Sequence, residues 1–469
     1  MSGVPLGIAV TAARAAGRVA RLRGHGGTSL PGKLLTRLRP DAIDRMAGGL
    51  EHGSVVLSAT NGKTTTAALI ASILERHDRR LVHNRQGANM TGGIAATLLG
   101  AWHGGRLDGD QGLFEVDEFW LTDLVPRLRP RALLLANLFR DQLDRYGELE
   151  TIADRWRELV LSPAVAGTRL VLGADDPAVA DLGIDRDDVL YFGVEDRSVS
   201  LGAADHASDT TNCRVCGARY AYTASFVGHL GHYACERCGH RRPTPTVTAE
   251  EVRLDGTRGA HVRLGLPDAT IDVHLRLPGL YNVYNALAAA AVAHALGVPA
   301  ATIADGLQAT TAAFGRAETV TIDGRELQLL LVKNPAGANE VVRTLALDGG
   351  ELDLLSVLND RIADGRDVSW VWDADYELLA PRIRHVTCGG TRAAEMAVRW
   401  KYAGVPTERI TVVEATSGPH SGVGAGLDAA LRAAPDDRDR PLYAVPTYTA
   451  MLELRAELVE RGAATGSFV

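Results

Sequence analysis

The sequence predicts an α/β protein made of two units in tandem, the first interrupted by a small cysteine-rich insertion. Three observations predict it. Short apolar, β-branched runs alternate with segments of helical periodicity from Ser54 to about Gly193, and again from Leu327 to Val445. The first run, Ser54–Ser58, turns through Ala59-Thr60-Asn61-Gly62-Lys63-Thr64 into Thr64–Leu74, where Ala, Leu and Ile recur at helical spacing. Four of the five cysteines fall in one cluster, Cys213-x-x-Cys216 and Cys235-x-x-Cys238, with 18 residues between the pairs.

Composition narrows the class. A length of 469 residues gives room for about two to four domains. Hydrophobic residues at 46% and charged residues at 23% fit a soluble globular protein. The net charge of −7 excludes wholesale nucleic-acid binding, which needs a basic footprint. No run of 18 apolar residues exists to span a bilayer. In the N-terminal stretch the arginines follow the apolar residues, the wrong order for a secretory signal. The expected location is therefore cytoplasmic.

Residues 1–45 read as a basic helical segment. A helix over Ala12–Leu22 gathers Arg14, Arg18 and Arg21 on one side. A solvated face is the commoner meaning of such a pattern, and contact with the inner face of the cell membrane is the alternative. The first α/β unit covers 46–314, with strands near Arg80–His83, Leu113–Val116, Ala132–Ala136, Arg169–Gly173 and Val189–Gly193 after the first. Alternation of this kind predicts a mostly parallel sheet with ligands at the carboxyl ends of its strands. Polar clusters stand there: Asn84–Asn89, Glu115–Glu118, Asn137–Tyr146 and Asp175-Asp176-Pro177. The insertion occupies about 205–245, strand-like segments resume near Glu250, and Ala286–Leu296 reads as an Ala-rich helix. A hinge at Phe314-Gly315-Arg316 leads to the second unit, 315–469. Its strands lie near Leu327–Val332, Leu352–Leu358, His385–Cys388, Ile410–Val413 and Leu442–Val445.

The chemistry concentrates at a few places. A tight turn opening a helix aims free N–H groups at an anion, and the helix dipole favours one. In Thr60-Asn61-Gly62-Lys63-Thr64-Thr65, Gly62 allows close backbone approach, Lys63 reaches terminal phosphates and the Thr64 hydroxyl suits Mg²⁺. Ala59 stands where the first glycine of such loops is usual. Glu115, Asp117 and Glu118 end a neighbouring strand, where carboxylates can hold Mg²⁺; spacing leaves open which one ligates. Four cysteine thiolates at zinc-ribbon spacing close a tetrahedral shell around Zn²⁺, and a closed shell is structural. His232 and His240 flank it as bystanders. Asp360, Asp364 and Asp367 follow an apolar strand and precede Trp370 and Trp372, as a site, a docking surface or an acidic turn would. Cys388 has no histidine beside it and reads as a buried hydrophobe.

These motifs resemble a known family. Ala59-Thr-Asn-Gly-Lys-Thr-Thr, Asn137…Asp141-Gln142-Leu-Asp144-Arg145-Tyr146-Gly, Ala174-Asp-Asp-Pro177, Pro278-Gly…Asn282-x-x-Asn285-Ala and Gly315-Arg316 are similar to those of the Mur ligases, ATP-dependent enzymes that extend peptidoglycan precursors. The likeness covers the chain after the first 45 residues. The cysteine insertion and the segment Asp360–Trp372 narrow it to the MurT branch, synthetase subunits that amidate lipid II with a GatD-like glutaminase partner. The chain departs from ordinary Mur ligases in Gln142, where they have His, and in Leu-Leu-Val-Lys333-Asn334-Pro335, where they have Asp-Tyr-Ala-His-Asn-Pro. The N-terminal region is too short for a UDP-binding domain, which fits a lipid-linked substrate.

The resemblance implies a Mur-ligase-like ATPase domain, a zinc-ribbon insertion and a Rossmann-like C-terminal domain that meets the glutaminase. It implies that ATP phosphorylates the α-carboxylate of D-glutamate in the stem peptide and that ammonia displaces the phosphate to leave D-isoglutamine. Asn282 or Asn285 would lie near the adenine, and Arg316 near the phosphates. Lys333 would touch the phosphates or the substrate carboxylate. Asp367 would orient the partner's catalytic histidine, with Asp360 and Asp364 as fallbacks. The competing readings are an amino-acid ligase of Mur or folylpolyglutamate-synthase type, and a zinc-ribbon binding protein whose nucleotide site is regulatory.

Overall fold

The computed structural model describes residues 4–22, 29–85, 88–140, 149–201, 209–311, 316–415, 422–433 and 440–464. The strands, in chain order, begin with β1 (Ser54–Ser58), β2 (Leu81–His83), the small hairpin β3 (Trp102–His103) and β4 (Arg106–Leu107), β5 (Gln111–Glu115) and β6 (Ala132–Leu135). They continue with β7 (Arg169–Gly173), β8 (Val189–Val194), β9 (Ala221–Ser225), β10 (Gly231–Ala234), β11 (Val247–Leu254), β12 (Ala260–Leu266) and β13 (Ala269–Leu275). One nine-stranded sheet runs β13-β12-β11-β8-β7-β6-β1-β5-β2. Every pair from β2 to β11 is parallel.

The continuous apolar runs arise because both faces of these strands are covered. Along β1, Val55 and Leu57 join a core with the helices Lys63–Arg76 and Leu280–Ala295, while Val56 joins one with Thr91–Ala101 and Leu121–Leu128. The strands β11–β13 differ. They extend the same sheet antiparallel, and β11 alternates buried and exposed positions. Sequence reading found them as strands but not as part of this sheet, since an alternating pattern fits any half-covered sheet.

Two boundaries move. The Ala-rich helix begins at Leu280, not Ala286, so Asn282 and Asn285 stand in its first two turns. The N-terminal helix spans Leu6–Leu22 and buries Ala9, Val10, Ala13 and Ala20. Its Arg14 donates to Leu99 O at 3.1 Å and to Trp102 O, neutralising the carbonyl end of Thr91–Ala101. Arg14 therefore turns into the protein rather than joining exposed Arg18 in a free basic face. The Arg21 side chain lies outside the described residues. No described helix is long and apolar enough to cross a membrane.

The second unit contains β14 (Arg316–Ile322), β15 (Arg325–Leu330), β16 (Leu352–Val357), β17 (Ile383–Gly389), β18 (Ile410–Val412) and β19 (Leu442–Pro446), ordered β14-β15-β19-β16-β17-β18. All neighbours except the hairpin β14–β15 are parallel. Arg316, read as part of a hinge, thus opens a strand. Inside this sheet Asp353 accepts from Arg325 Nη2 at 2.6 Å and Arg384 Nε at 2.9 Å. Burial alone would raise the Asp353 carboxyl; the two guanidiniums overcome it and hold it below the usual range. Asp353→Ala should cost about 3–5 kcal/mol, because it strands buried Arg325. In urea titrations the gap between wild type and variant should be complete at neutral pH. It should close as acid carries the pH below the depressed folded-state value.

Candidate active site

The loop after β1 is held open from both sides. Asn137, past the end of β6, accepts from Asn61 N at 2.9 Å and donates to Asn61 O at 3.0 Å. Gly62 takes φ +87°, and an added Cβ would sit 2.0 Å from Asn285 Oδ1, so only glycine fits between loop and helix. Asn285 also accepts from Thr66 Oγ1 at 3.2 Å and donates to Asn282 Oδ1 at 2.9 Å, which locks the two helix asparagines against the loop.

β5 pairs directly with β1 and brings its carboxylates to the same end. Glu115 Oε2 accepts from Thr64 Oγ1 at 2.9 Å, and Glu118 Oε2 lies 2.9 Å from Lys63 Nζ. Burial works to lower the Lys63 pKa, but Glu118 and Glu115 outweigh it and raise it, so the ammonium persists. The two carboxylates thus divide: Glu118 pairs with the lysine, while Glu115 and Thr64 converge hard oxygen donors of the kind Mg²⁺ takes. Asn84, unremarked beyond its polar cluster, fixes Glu115 by clasping its backbone, donating to the carbonyl at 2.8 Å and accepting from the N–H at 2.9 Å.

The second unit closes the far side. Lys333 Nζ donates to Thr60 O at 2.9 Å. Asn334 caps the helix Pro335–Leu347 by accepting from Gly337 N at 2.9 Å, and its Nδ2 donates to Asn61 Oδ1 at 3.0 Å. Between the units lies a cavity of about 320 Å³ whose walls include Thr60–Thr65, Glu115, Glu118, Asn282, Asn285 and Lys333. The motif positions Asp141, Gln142, Asp144, Arg145, Tyr146 and Gly315 lie outside the described residues, as does the Arg316 side chain.

The insertion carries two matching turns. Gly217 N donates to Cys213 O and Gly239 N to Cys235 O, with φ of +74° and +76° at the two glycines. The turns bring Cys213 Sγ to 3.6 Å from Cys238 Sγ and Cys216 Sγ to 3.5 Å from Cys235 Sγ. Four thiolates around Zn²⁺ at 2.3 Å stand about 3.8 Å apart, so this set fits the ion with small adjustment. His240 bonds Tyr220 and Asp181 instead, and His232 bonds Val194 O.

Residues 58–234 match the Mur ligase middle domain, and residues 331–451 match the MurT ligase C-terminal domain. The chain is 32% identical over 437 residues to the MurT subunit of the glutamine-hydrolysing lipid II isoglutaminyl synthase of Streptococcus pneumoniae, covering 93% of each. The chain belongs to the MurT family. Its fold is that of a pseudomurein peptide ligase type C from Methanothermus fervidus, with TM-score 0.66, 23% identity and coverage of 87% and 78% of the two chains. It is also that of Mycobacterium tuberculosis folylpolyglutamate synthase, whose structures hold ADP and AMPPCP, with TM-score 0.60, 15% identity and coverage of 94% and 99%.

The MurT C-terminal match contains all three candidate aspartates, and the structure separates them. Buried Asp364 accepts from Thr449 N at 2.7 Å and from Thr449 Oγ1, which fixes the start of the helix Tyr448–Glu460. Asp360 is held by Thr391 Oγ1 at 2.8 Å and Arg392 Nη1 at 3.2 Å. Asp367 is exposed and accepts from Ser369 N at 2.8 Å; the Ser369 hydroxyl and, second, this N–H hold its carboxyl below the usual range. Near it in sequence, Ile362 and Trp372 are exposed, and Trp372 packs edge-on to exposed Tyr402 at 5.8 Å. Buried Cys388, its thiol pushed up to about 12 by burial, offers no nucleophile.

Proposed function

We propose that this MurT-family chain is the synthetase subunit that amidates the α-carboxylate of D-glutamate in the lipid II stem peptide, giving D-isoglutamine. The observation that carries the reading is the cavity itself. An anion-facing loop with a charged lysine and a hydroxyl–carboxylate pair lies on one wall, and a second cation, Lys333, faces it from the other unit.

The substrate carboxylate oxygen attacks the γ-phosphorus of ATP, the bond to ADP breaks, and an acyl phosphate forms. Ammonia then adds to the acyl carbon, loses a proton, and expels phosphate. In such transfers the protein mainly positions the reactants and stabilises charge. The loop N–H groups from Gly62 to Thr65 cradle the phosphates, while that of Asn61 stays on Asn137, and Lys63 shifts from Glu118 toward the transferred group. Thr64 and Glu115, with Glu118 beside them, would hold Mg²⁺, which spreads the phosphate charge when bound. Asn282 and Asn285 shape the nucleoside end, and Arg316 opens the strand nearest the unit boundary. Lys333 is close enough to the loop to act on phosphate or carboxylate.

The Streptococcus pneumoniae relative is one subunit of a glutamine-hydrolysing enzyme. We assign a GatD-like glutaminase as the partner here, docking by the exposed face around Asp367, and the inner membrane surface as the place where lipid II is met. The four-cysteine shell holds structural Zn²⁺. The purified pair should release ADP from Mg-ATP only when lipid II and either glutamine or free ammonia are present. If amino acids replace ammonia with equal ADP release, the chain is an amino-acid ligase instead. ATP binding without any turnover would make the nucleotide regulatory.

A further inference from the structure

The four-cysteine insertion reaches the cavity between the units. Its hairpin, β9–β10, turns through Phe226–Leu230, closed by Phe226 N to Leu230 O at 2.9 Å and Leu230 N to Val227 O at 2.9 Å. Val227 and Leu230 line the cavity together with Phe139 and Leu277. The cysteines lie at the other end of the same hairpin, with Cys235 directly after β10. We propose that the insertion supplies the apolar wall for the nucleobase through Val227 and Leu230, and that zinc, by holding the hairpin, sets the affinity for the base. This rests on the nucleotide reading of the cavity given above.

Two features support the wall. The cavity pairs an apolar stretch with the side-chain amides of Asn137 and Asn282, a combination that suits a flat ring with polar edges. The phosphate loop lies in the same cavity, so a ligand spanning both is a nucleotide rather than an isolated apolar molecule.

The tip is also braced. The His229 ring, fully buried, lies 4.7 Å from the Phe139 ring and 3.3 Å from Asp176 Oδ2, which accepts from Leu138 N at 2.8 Å. Gly231 N donates to Asp175 O at 2.9 Å. Arg242, four residues past Cys238, donates from Nε to Asp175 Oδ1 at 2.6 Å, and Tyr284 OH donates to Asp175 Oδ2 at 2.6 Å. Tyr284 stands between Asn282 and Asn285 on the cavity helix. Asp175 therefore joins both ends of the insertion to that helix.

The dependence on zinc follows from size. A lone two-stranded hairpin is marginal in water, and the small core at the cysteine end consists of Cys213, Cys235, Tyr220 and Tyr233. Metal binding at such a site supplies folding free energy directly. Losing it releases one end of the lever that presents Val227 and Leu230.

The test compares two probes on the zinc-loaded full chain: Mg-ATP, which has a base, and Mg-tripolyphosphate, which has none. Leu230→Ser should weaken Mg-ATP by about tenfold while tripolyphosphate affinity stays unchanged. Wild type stripped of zinc and dialysed free of chelator should lose its preference for ATP over tripolyphosphate and regain it on zinc add-back. Zinc content and the thermal midpoint accompany each measurement. Equal ATP affinity in Leu230→Ser and wild type, equal weakening of both probes in a folded variant, or a preference that survives zinc removal would overturn the inference. If wild type binds neither probe, the nucleotide reading itself fails.

Discussion

Replacing Lys63 with methionine is expected to lower ammonia-dependent ADP formation by about 10²–10³-fold, the usual cost of losing one charged donor aimed at developing charge. Methionine keeps the length and the apolar stem, so the change falls on the ammonium. Lys63 is only 12% exposed and its partner Glu118 10%, so the variant also leaves Glu118 beside Glu115 without its counter-charge. Lys63→Arg should not rescue, because a planar fork does not occupy the place of a compact ammonium inside the helix turn. Steady-state ADP release with free ammonia and lipid II, alongside thermal melts, makes the measurement. A folded Lys63→Met protein within tenfold of wild type would remove Lys63 from the chemistry.

Much of this site was legible because the residues that carry it are local. Gly62, Lys63 and Thr64 act within one turn, and the strand–turn–helix that presents them has its signature in consecutive residues. The cysteine cluster was legible for the same reason: each pair is a self-contained turn repeated once. What stayed hidden depends on residues far apart in sequence. Nothing near Asn84 announces that its amide grips the backbone of Glu115, 31 positions on. Asp175, Arg242 and Tyr284 meet across 109 positions, so no spacing reveals them. The same limit explains Arg316, whose strand exists only by pairing with β15. It explains Arg14 too, whose pattern on a helical wheel suits solvent equally well until Thr91–Ala101 is placed beside it.

Converting Asp367 to asparagine is expected to cut glutamine hydrolysis by the reconstituted pair about 10³–10⁴-fold while ADP formation on free ammonia stays unchanged. The physical case is one of availability. A nucleophile–histidine pair needs an ionised acid to orient and stabilise the imidazolium, and an amide in its place favours the wrong tautomer. Among the three aspartates, Asp364 commits its oxygens to Thr449, and Asp360 commits its own to Thr391 and Arg392. Asp367 alone among them is exposed, and hydrogen bonds from Ser369, from its hydroxyl first and its N–H second, hold the carboxyl below the usual range. The exposed aromatic pair Trp372 and Tyr402 offers the apolar contact that would dock a partner in register. Asp364→Asn should behave differently, lowering the thermal midpoint and both activities together, because it breaks a buried bond set rather than a reaction. Should Asp367→Asn hydrolyse glutamine at the wild-type rate in a copurifying complex, the histidine must be oriented from within the partner, and Asp367 would have no part in catalysis.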